Sequence, residues 1–232
     1  NNKDLLDSPE VYAAAKQIVV IDHHRQVVNY IDNAVIFHHE PYASSACEMT
    51  AELIQYFPGI DKLQSYYADV MLAGIMLDTK DFVMRTGVRT FEAAAFLRKL
   101  GADMVAVKNL FANTMACIQK RSKLIADAEI YKRCAIAVDD TADEYIRVAS
   151  AQAADQMLEI VGVDASFVIF RIPTGVNISA RSLGAMNVQI IMEKLGGGGH
   201  QTMAAAQLND VRVTEAKAEL ISAIDEYIQN IS

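Results

Sequence analysis

The stretch Ile18-Val19-Val20-Ile21-Asp22-His23-His24 decides how the fold of this sequence is interpreted. Its short β-branched run is bounded by polar residues, which is typical of a strand buried on both faces of a parallel sheet. Asp22, His23 and His24 then lie at the carboxyl end of that strand, where open α/β sheets collect their ligand-binding side chains. Two imidazoles and a carboxylate there can bind a divalent cation, with one neighbour orienting the ligating histidine. The alternative is a polar loop that holds one buried, hydrogen-bonded histidine.

Asp78 is the second candidate ligand, because it ends the apolar segment 73–77 and precedes Thr79. Surface solvation explains a carboxylate in that position poorly, and the alternative is a carboxylate that caps a helix end. A second histidine pair, His38 and His39, flanks the strand predicted at residues 34–37. We interpret that pair as packing residues rather than as ligands.

The run Gly196-Gly197-Gly198-Gly199-His200 is the most distinctive feature of the second half. Consecutive glycines leave backbone N–H groups open to a phosphate or a flat base, and His200 adds a donor at the rim. Upstream, the alternating pattern places Asn177, Ser179 and Arg181 on one face of a predicted strand, where a guanidinium beside hydroxyls suits a phosphate. The alternatives are a flexible linker at the glycines and a solvated strand edge at Arg181.

The composition excludes several classes of protein. The chain has 232 residues, of which 52% are hydrophobic and 22% charged, so it can form one large domain or two small ones. A formal charge of −8 argues against a protein that coats long nucleic acid. Cys47, Cys117 and Cys134 are far apart in apolar contexts, which favours reduced thiols and a reducing cytoplasm. The longest apolar run contains Asp69 and is much shorter than the roughly 20 residues that a bilayer requires.

The first half of the chain alternates predicted strands and helices, which indicates an α/β fold. Ser45, with Glu48 three residues later, forms a capping-box pattern that starts a helix. Asp61 is expected to cap the next helix, which runs to Asp78. A further helix is predicted over residues 90–100, and Gly101 is expected to end it.

A domain change is predicted near residues 115–127, within a polar helix that covers residues 114–127. The turn Pro173-Thr174-Gly175 predicts that the strands on its two sides pair as a hairpin. Strands are expected around Ile130 and over residues 136–138, 167–172 and 176–180, and amphipathic helices over residues 145–160 and 214–228.

Three features together resemble the DHH/DHHA1 phosphoesterase superfamily, over nearly the whole chain. They are Ile21-Asp22-His23-His24, the segment 74–79 that contains Asp78, and residues 196–200 preceded by Ser179-Ala180-Arg181-Ser182. Residues 20–52 look most similar to the membrane-anchored cyclic-di-AMP phosphodiesterases, which place a PAS domain and a degenerate GGDEF domain before this module.

The resemblance implies an α/β fold in three parts. A DHH catalytic domain with a mainly parallel sheet flanked by helices is expected over residues 1–115. A linker helix is expected over residues 116–127, and a smaller α+β DHHA1 domain that binds the substrate over residues 128–232. The implied activity is hydrolysis of one phosphodiester of cyclic di-AMP to 5′-pApA at a site with two manganese ions.

The resemblance also assigns roles to single residues. His23 and Asp78 match ligands of one metal ion, while Asp22 and His24 match catalytic positions that flank the ligands. The residues that match or neighbour the substrate-binding positions are Ser179, Arg181, Gly197, Gly198, Gly199, His200 and Arg85. For Arg85, a loop role is an equal alternative.

Two departures from the superfamily pattern stand out. The first motif, a histidine and two aspartates, has no counterpart, and the aspartate that bridges both metals is expected just before Asn1. We therefore expect the chain to begin inside the catalytic domain and to be essentially inactive as an isolated polypeptide. Met203 stands where a polar residue is expected, which bears on base recognition.

The implied partner is a cyclic dinucleotide, with no long nucleic acid and no membrane contact by this segment. A homodimer is left open, and the parent protein is expected to act at the cytoplasmic side of the cell membrane. Two other interpretations remain at this point. One is a soluble DHH/DHHA1 nanoRNase that cleaves short oligonucleotides, and the other is a noncatalytic nucleotide-binding module.

Overall fold

The structure is a computed structural model that describes residues 1–3, 6–24, 26–141, 143 and 145–231. It divides into two compact units, Asn1–Ala112 and Asn113–Ser232. The elements of the first unit are α1 (Pro9–Ala14), β1 (Val19–Asp22), β2 (Ile36–His39), α2 (Ala46–Ile54), α3 (Ser65–Thr79), α4 (Val88–Lys99) and α5 (Met104–Leu110).

In the first unit, β1 and β2 form a two-stranded parallel sheet. Helices α2, α3, α4 and α5 contribute the hydrophobic core of this unit. Its largest buried side chains are those of Leu72, Ile75, Leu97 and Val107. The prediction that β1 is buried on both faces is wrong, since Val19 is 55% exposed while Val20 is buried. This alternation arises because packing covers only one face of the sheet in the described part of the chain.

The ends of the helices follow local sequence chemistry. Ser45 caps α2 as predicted, because its Oγ accepts a hydrogen bond of 3.0 Å from the backbone N–H of Glu48. Gly101 follows α4 with φ +98°, as expected of a glycine that ends a helix. The cap predicted at Asp61 is wrong: this residue lies in a short 3₁₀ turn, and α3 begins after Gln64.

The second unit is built on a six-stranded mixed sheet in the order β3-β4-β5-β6-β8-β7. Strands β4 and β5 are parallel, and all the other neighbouring pairs are antiparallel. Its elements are α6 (Met115–Ala126), β3 (Glu129–Tyr131), β4 (Cys134–Asp139), α7 (Ile146–Met157), β5 (Ala165–Ile172), β6 (Gly175–Ser182), α8 (Val188–Lys194), β7 (Gly198–His200), β8 (Met203–Asn209) and α9 (Val213–Ile231).

The predicted hairpin is confirmed, because β5 and β6 pair up to Ile172 and Gly175 across the turn. One face of the sheet packs against α8 and α9 around Phe167, and the other packs against α6 and α7 around Phe170. Helix α6 covers the range of the predicted linker, and it buries Cys117 in the core of this unit.

All three cysteines are free thiols, as the sequence predicts. Among the helices that the structure describes, none has the length and apolar character needed to cross a membrane.

Candidate functional site

His23 and Asp78 come together in the first unit, as the sequence predicts for two ligands of one ion. His23 directly follows β1 and is buried, while Asp78 lies in the last turn of α3 with a side chain that is 42% exposed. The Nε2 atom of His23 is 3.5 Å from the Oδ2 atom of Asp78. The fold therefore brings an imidazole nitrogen and a carboxylate oxygen from distant parts of the chain to one point.

This spacing fits a shared divalent ion. Two ligands that each bind one ion at about 2.0–2.2 Å lie about 3.0–3.5 Å apart. Burial lowers the pKa of His23, against the opposing pull of the Asp78 carboxylate, and thus favours the neutral imidazole that ligates metals. Within the described ranges, no group of three or more His, Cys, Asp or Glu side chains suited to a metal is present. His23 and Asp78 alone do not make up such a group, and their role as metal ligands stays a prediction.

Asp22 and His24 form a contact of their own beside this pair. Asp22 Oδ1 accepts a 2.9 Å hydrogen bond from the His24 backbone and lies 2.7 Å from His24 Nδ1. Its Oδ2 accepts a hydrogen bond from the side-chain amide of Asn1. Asp22 is thereby held beside His24 and orients its ring.

His39 is a residue of this region that the sequence analysis interpreted only as packing. It lies within β2, not beside a strand as predicted, and its Nε2 is 2.5 Å from the backbone oxygen of His24. Parallel pairing of β1 with β2 places His39 next to Asp22 in the register. Register was the missing information, because the sequence alone does not show which ends of two strands meet.

In the second unit, the predicted polar residues share one face of the sheet. Ser179 and Arg181 alternate along β6 with buried apolar residues that face the other side. Ser179 pairs with Ala205, which pairs with Gly198, and Arg181 pairs with Met203, which pairs with His200. Since paired residues of antiparallel strands point to the same face, Ser179, Arg181, Gly198, Met203 and His200 form one surface. We call it the β6–β7 face.

Arg181 is largely buried rather than solvated. Its Nε is 3.3 Å from Asp155 Oδ1 on α7, and its Nη1 donates a 2.9 Å hydrogen bond to the Ala180 carbonyl. Burial lowers the pKa of Arg181, and the Asp155 carboxylate opposes that shift. Sequence reasoning missed Asp155, because a carboxylate on an amphipathic helix has no pattern that singles it out.

The glycine run has divided roles. Gly196, with φ +74°, ends α8: the N–H groups of Gly196 and Gly197 donate to the carbonyls of Glu193 and Met192. A Cβ on Gly197 would lie 2.1 Å from the Ala205 carbonyl oxygen, so this glycine allows close packing. Gly199 similarly approaches the next strand, with 2.5 Å between a built Cβ and Ala204 Cα. A Cβ on Gly198 meets nothing within 4 Å, so Gly198 has open space.

Two family models match the chain. The N-terminal domain of the DHH family matches residues 2–75, and the DHHA1 domain matches residues 131–230. The chain belongs to the DHH/DHHA1 superfamily. This membership confirms the resemblance and the α/β fold of two joined domains.

Relatives of this DHH/DHHA1 chain include two curated enzymes. It is 48% identical over 228 residues to "Cyclic-di-AMP phosphodiesterase PdeA" of Listeria monocytogenes serotype 1/2a (strain 10403S), covering 97% of this chain and 34% of that protein. It is 50% identical over 217 residues to "Cyclic-di-AMP phosphodiesterase GdpP" of Geobacillus thermodenitrificans (strain NG80-2), covering 93% of this chain and 33% of that protein. The chain thus spans about a third of the length of these relatives.

A solved structure shows the same fold. The crystal structure of an exopolyphosphatase-related protein from Bacteroides fragilis matches with a TM-score of 0.84, over 98% of this chain and 69% of that chain. The two sequences are 20% identical, so the match bears on the fold alone.

Proposed function

We propose that this chain is the catalytic part of a metal-dependent phosphodiesterase that hydrolyses cyclic di-AMP to 5′-pApA. The observation that carries the proposal is the 3.5 Å approach of His23 Nε2 to Asp78 Oδ2 in a DHH domain. The substrate class is supported by the names of the relatives that are about half identical to this chain.

His23 and Asp78 would hold a divalent ion, which we propose to be manganese, with two ions in the whole protein. When bound, such ions stabilise negative charge on phosphoryl oxygens and supply a nucleophile at neutral pH. The chain's own contribution is burial of His23, which lowers its pKa and favours the neutral imidazole. Asp22 in turn fixes His24, which we propose lines the site.

The β6–β7 face is proposed to bind the dinucleotide. The Arg181 guanidinium and the Ser179 hydroxyl suit a phosphate, and Gly198 leaves room for close approach to the main chain. Met203 lies beside His200 and would offer a polarizable apolar contact to a flat base, in place of the polar residue expected there. Gly197 and Gly199 would assist by keeping β7 close to β8, and Arg85 is proposed to face the substrate from the loop after Asp78.

For the whole protein, we propose membrane anchoring with this part on the cytoplasmic side, in keeping with its free thiols. We propose a cyclic dinucleotide as the partner of this part of the protein. The formal charge of −8 supports a small anion bound locally over long nucleic acid.

The test is incubation of a longer form, which continues upstream of Asn1, with Mn²⁺ and cyclic di-AMP, followed by chromatography of the products. We expect cyclic di-AMP to be consumed and pApA to accumulate. Faster cleavage of supplied pApA than of cyclic di-AMP would instead indicate a nanoRNase-type enzyme. Nucleotide binding without turnover, in this chain and in a longer form that continues upstream of Asn1, would indicate a noncatalytic binding module.

The same assay compares this chain with that longer form. We expect the 232-residue chain to be essentially inactive, because His23 and Asp78 are the only proposed ligands that meet in its described residues. Equal turnover by both forms would show that these two ligands are sufficient with the residues present.

A further inference from the structure

The loop that follows Asp78 has an unusual backbone. Lys80, Asp81, Phe82 and Arg85 have φ values of +51°, +55°, +66° and +50°. This left-handed region is unfavourable for any residue with a Cβ atom. Such a conformation persists only where the surrounding structure holds it in place, and it clusters at functional sites. The loop between α3 and α4 therefore requires specific contacts that hold it.

Thr79 supplies those contacts from the end of α3. It is fully buried, and its Oγ1 donates a 2.7 Å hydrogen bond to the Ile75 carbonyl and accepts one of 3.0 Å from Phe82 N–H. Its backbone oxygen accepts hydrogen bonds of 2.9 Å and 2.7 Å from the N–H groups of Val83 and Met84. One threonine thus satisfies three consecutive N–H groups of the loop.

Two contacts with α4 hold the same loop at its other end. The N–H group of Gly87 donates a 3.1 Å hydrogen bond to the Thr90 hydroxyl. The Phe82 ring stacks on the Phe91 ring, with centroids 5.5 Å apart and planes at 17°. The loop is therefore held from both helices.

We propose that Thr79 is a positioning residue that holds the Asp78 carboxylate against His23, an inference that rests on the proposed function. Asp78 is partly exposed, so the backbone of the last helical turn sets the direction of its carboxylate. Carbonyl groups of a last turn lack partners within the helix, and the turn frays unless other groups bind it. Here the last carbonyl, that of Thr79, is bound by the loop N–H groups of Val83 and Met84. The Thr79 hydroxyl adds a link from the Phe82 N–H to the Ile75 carbonyl one turn back.

The test compares Thr79→Val, which removes the hydroxyl and keeps the shape, with Thr79→Ser, which keeps the hydroxyl. Thr50→Val is a matched control, because Thr50 Oγ1 makes the same type of bond, 2.8 Å long, to the Ala46 carbonyl within α2. The first readout is amide hydrogen exchange at residues 78 and 82–84. The second is Mn²⁺ titration of the chain, followed by paramagnetic broadening of the His23 ring protons in NMR spectra, which detects weak binding.

We expect Thr79→Val to speed exchange at these amides and to weaken Mn²⁺ binding about tenfold, the lower range for residues that support metal ligands. Thr79→Ser and Thr50→Val should stay within about twofold of the wild type, because neither removes the contact to the loop. A Thr79→Val variant that only melts at a lower temperature, with wild-type exchange and Mn²⁺ affinity, overturns the proposal.

A second variant covers the case in which Thr79→Val does not fold. Phe91→Leu removes the ring that stacks on Phe82 and leaves Thr79 unchanged. We expect faster exchange at residue 78 and weaker Mn²⁺ binding, and unchanged values for both overturn the proposal. If wild-type protein binds Mn²⁺ at His23 but does not hydrolyse cyclic di-AMP, the proposed function fails while the inference about Thr79 stands. If the wild type does not bind Mn²⁺, amide exchange at residue 78 remains the readout. Faster exchange in Thr79→Val than in the wild type then supports the inference, and unchanged exchange overturns it.

Discussion

The two units place their candidate sites on different kinds of support. In the first unit, His23 follows one strand of a two-stranded sheet in which Val19 and Ile36 are 55% and 56% exposed. In the second unit, the β6–β7 face belongs to a six-stranded sheet whose central residue Phe167 is fully buried. The first site therefore depends on individual polar contacts, whereas the second depends on hydrophobic packing. Substitutions of polar residues in the first unit and of core residues in the second should therefore have different effects.

The largest expected effect is on turnover, through the ligand pair of the first unit. His23→Ala and Asp78→Ala should each lower cyclic di-AMP hydrolysis by more than about 100-fold, the upper range for residues that only support ligands. Steady-state kinetics with Mn²⁺, on the longer form that continues upstream of Asn1, measures the effect, and circular dichroism confirms the fold. Wild-type rates in either folded variant would contradict the metal assignment.

The next largest effect should be on the stability of the second unit. Phe167→Ala should cost about 3–5 kcal/mol in the free energy of unfolding, because it leaves a cavity in a packed core. Val19→Ala in β1 should change it by only about 0.5 kcal/mol, since the side chain is largely exposed. Urea unfolding measures the free energy of unfolding of both variants. Similar losses of stability in the two would contradict the difference between the two units.

Substitutions on the β6–β7 face should weaken the binding of cyclic di-AMP without loss of metal affinity. His200→Ala and Arg181→Ala should each lower cyclic di-AMP affinity by about 1.5–3 kcal/mol, the range for hydrogen bonds to charged groups. Arg181→Ala should also destabilise the fold, because Asp155 loses its cation. Arg212→Ala, at an exposed ion pair, is the control for calorimetry. Unchanged affinity in the first two variants would exclude this face as the binding surface.

A close approach in the first unit offers a test of its packing. A Cβ on Gly74 would lie 2.3 Å from Cys47 Sγ, so a side chain there would force the Cys47 side chain to move. Gly74→Ala should destabilise by about 1–3 kcal/mol, although alanine normally favours a helix. Cys47→Ala combined with Gly74→Ala should recover most of that loss. Thermal unfolding of the single and double variants measures the coupling, and additive losses would show that the two residues do not interact.

The smallest effect is a pH dependence in the second unit. Lys120 Nζ is 2.7 Å from Asp139 Oδ2. Burial by itself raises the pKa of Asp139, but the hydrogen bonds from Lys120 and Thr141 hold it below the ordinary value of 3.8. A lowered pKa in the folded state stabilises the fold above the unfolded pKa, and this contribution disappears as the pH falls through the folded pKa.

The measurement is urea unfolding of wild type and Asp139→Asn at neutral and acidic pH. The variant should be about 1 kcal/mol less stable at neutral pH and should approach the wild type in acid. Asp61→Asn, at an exposed carboxylate, is the control. A difference that grows on acidification would reverse the assigned direction of the pKa shift.

Local patterns predicted much of the fold. The helix start at Ser45, the helix end at Gly101 and the hairpin around Pro173-Thr174 depend on residues within a few positions of each other, and all three are confirmed. The predicted burial of β1 was wrong, because burial depends on neighbours from elsewhere in the chain. The cap at Asp61 was wrong, because this residue lies in a 3₁₀ turn that precedes α3.

The sequence by itself determined the chemical groups and the faces on which they lie. Period-two alternation fixed that Ser179 and Arg181 point the same way, and the superfamily motifs singled out His23 and Asp78. Only the tertiary structure decided which groups meet: Asp155 with Arg181, His39 with the His24 backbone, and Asp78 with His23. Hydrogen bonds and ion pairs act over a few ångströms, so their partners are set by helix packing and strand register, which no local pattern contains.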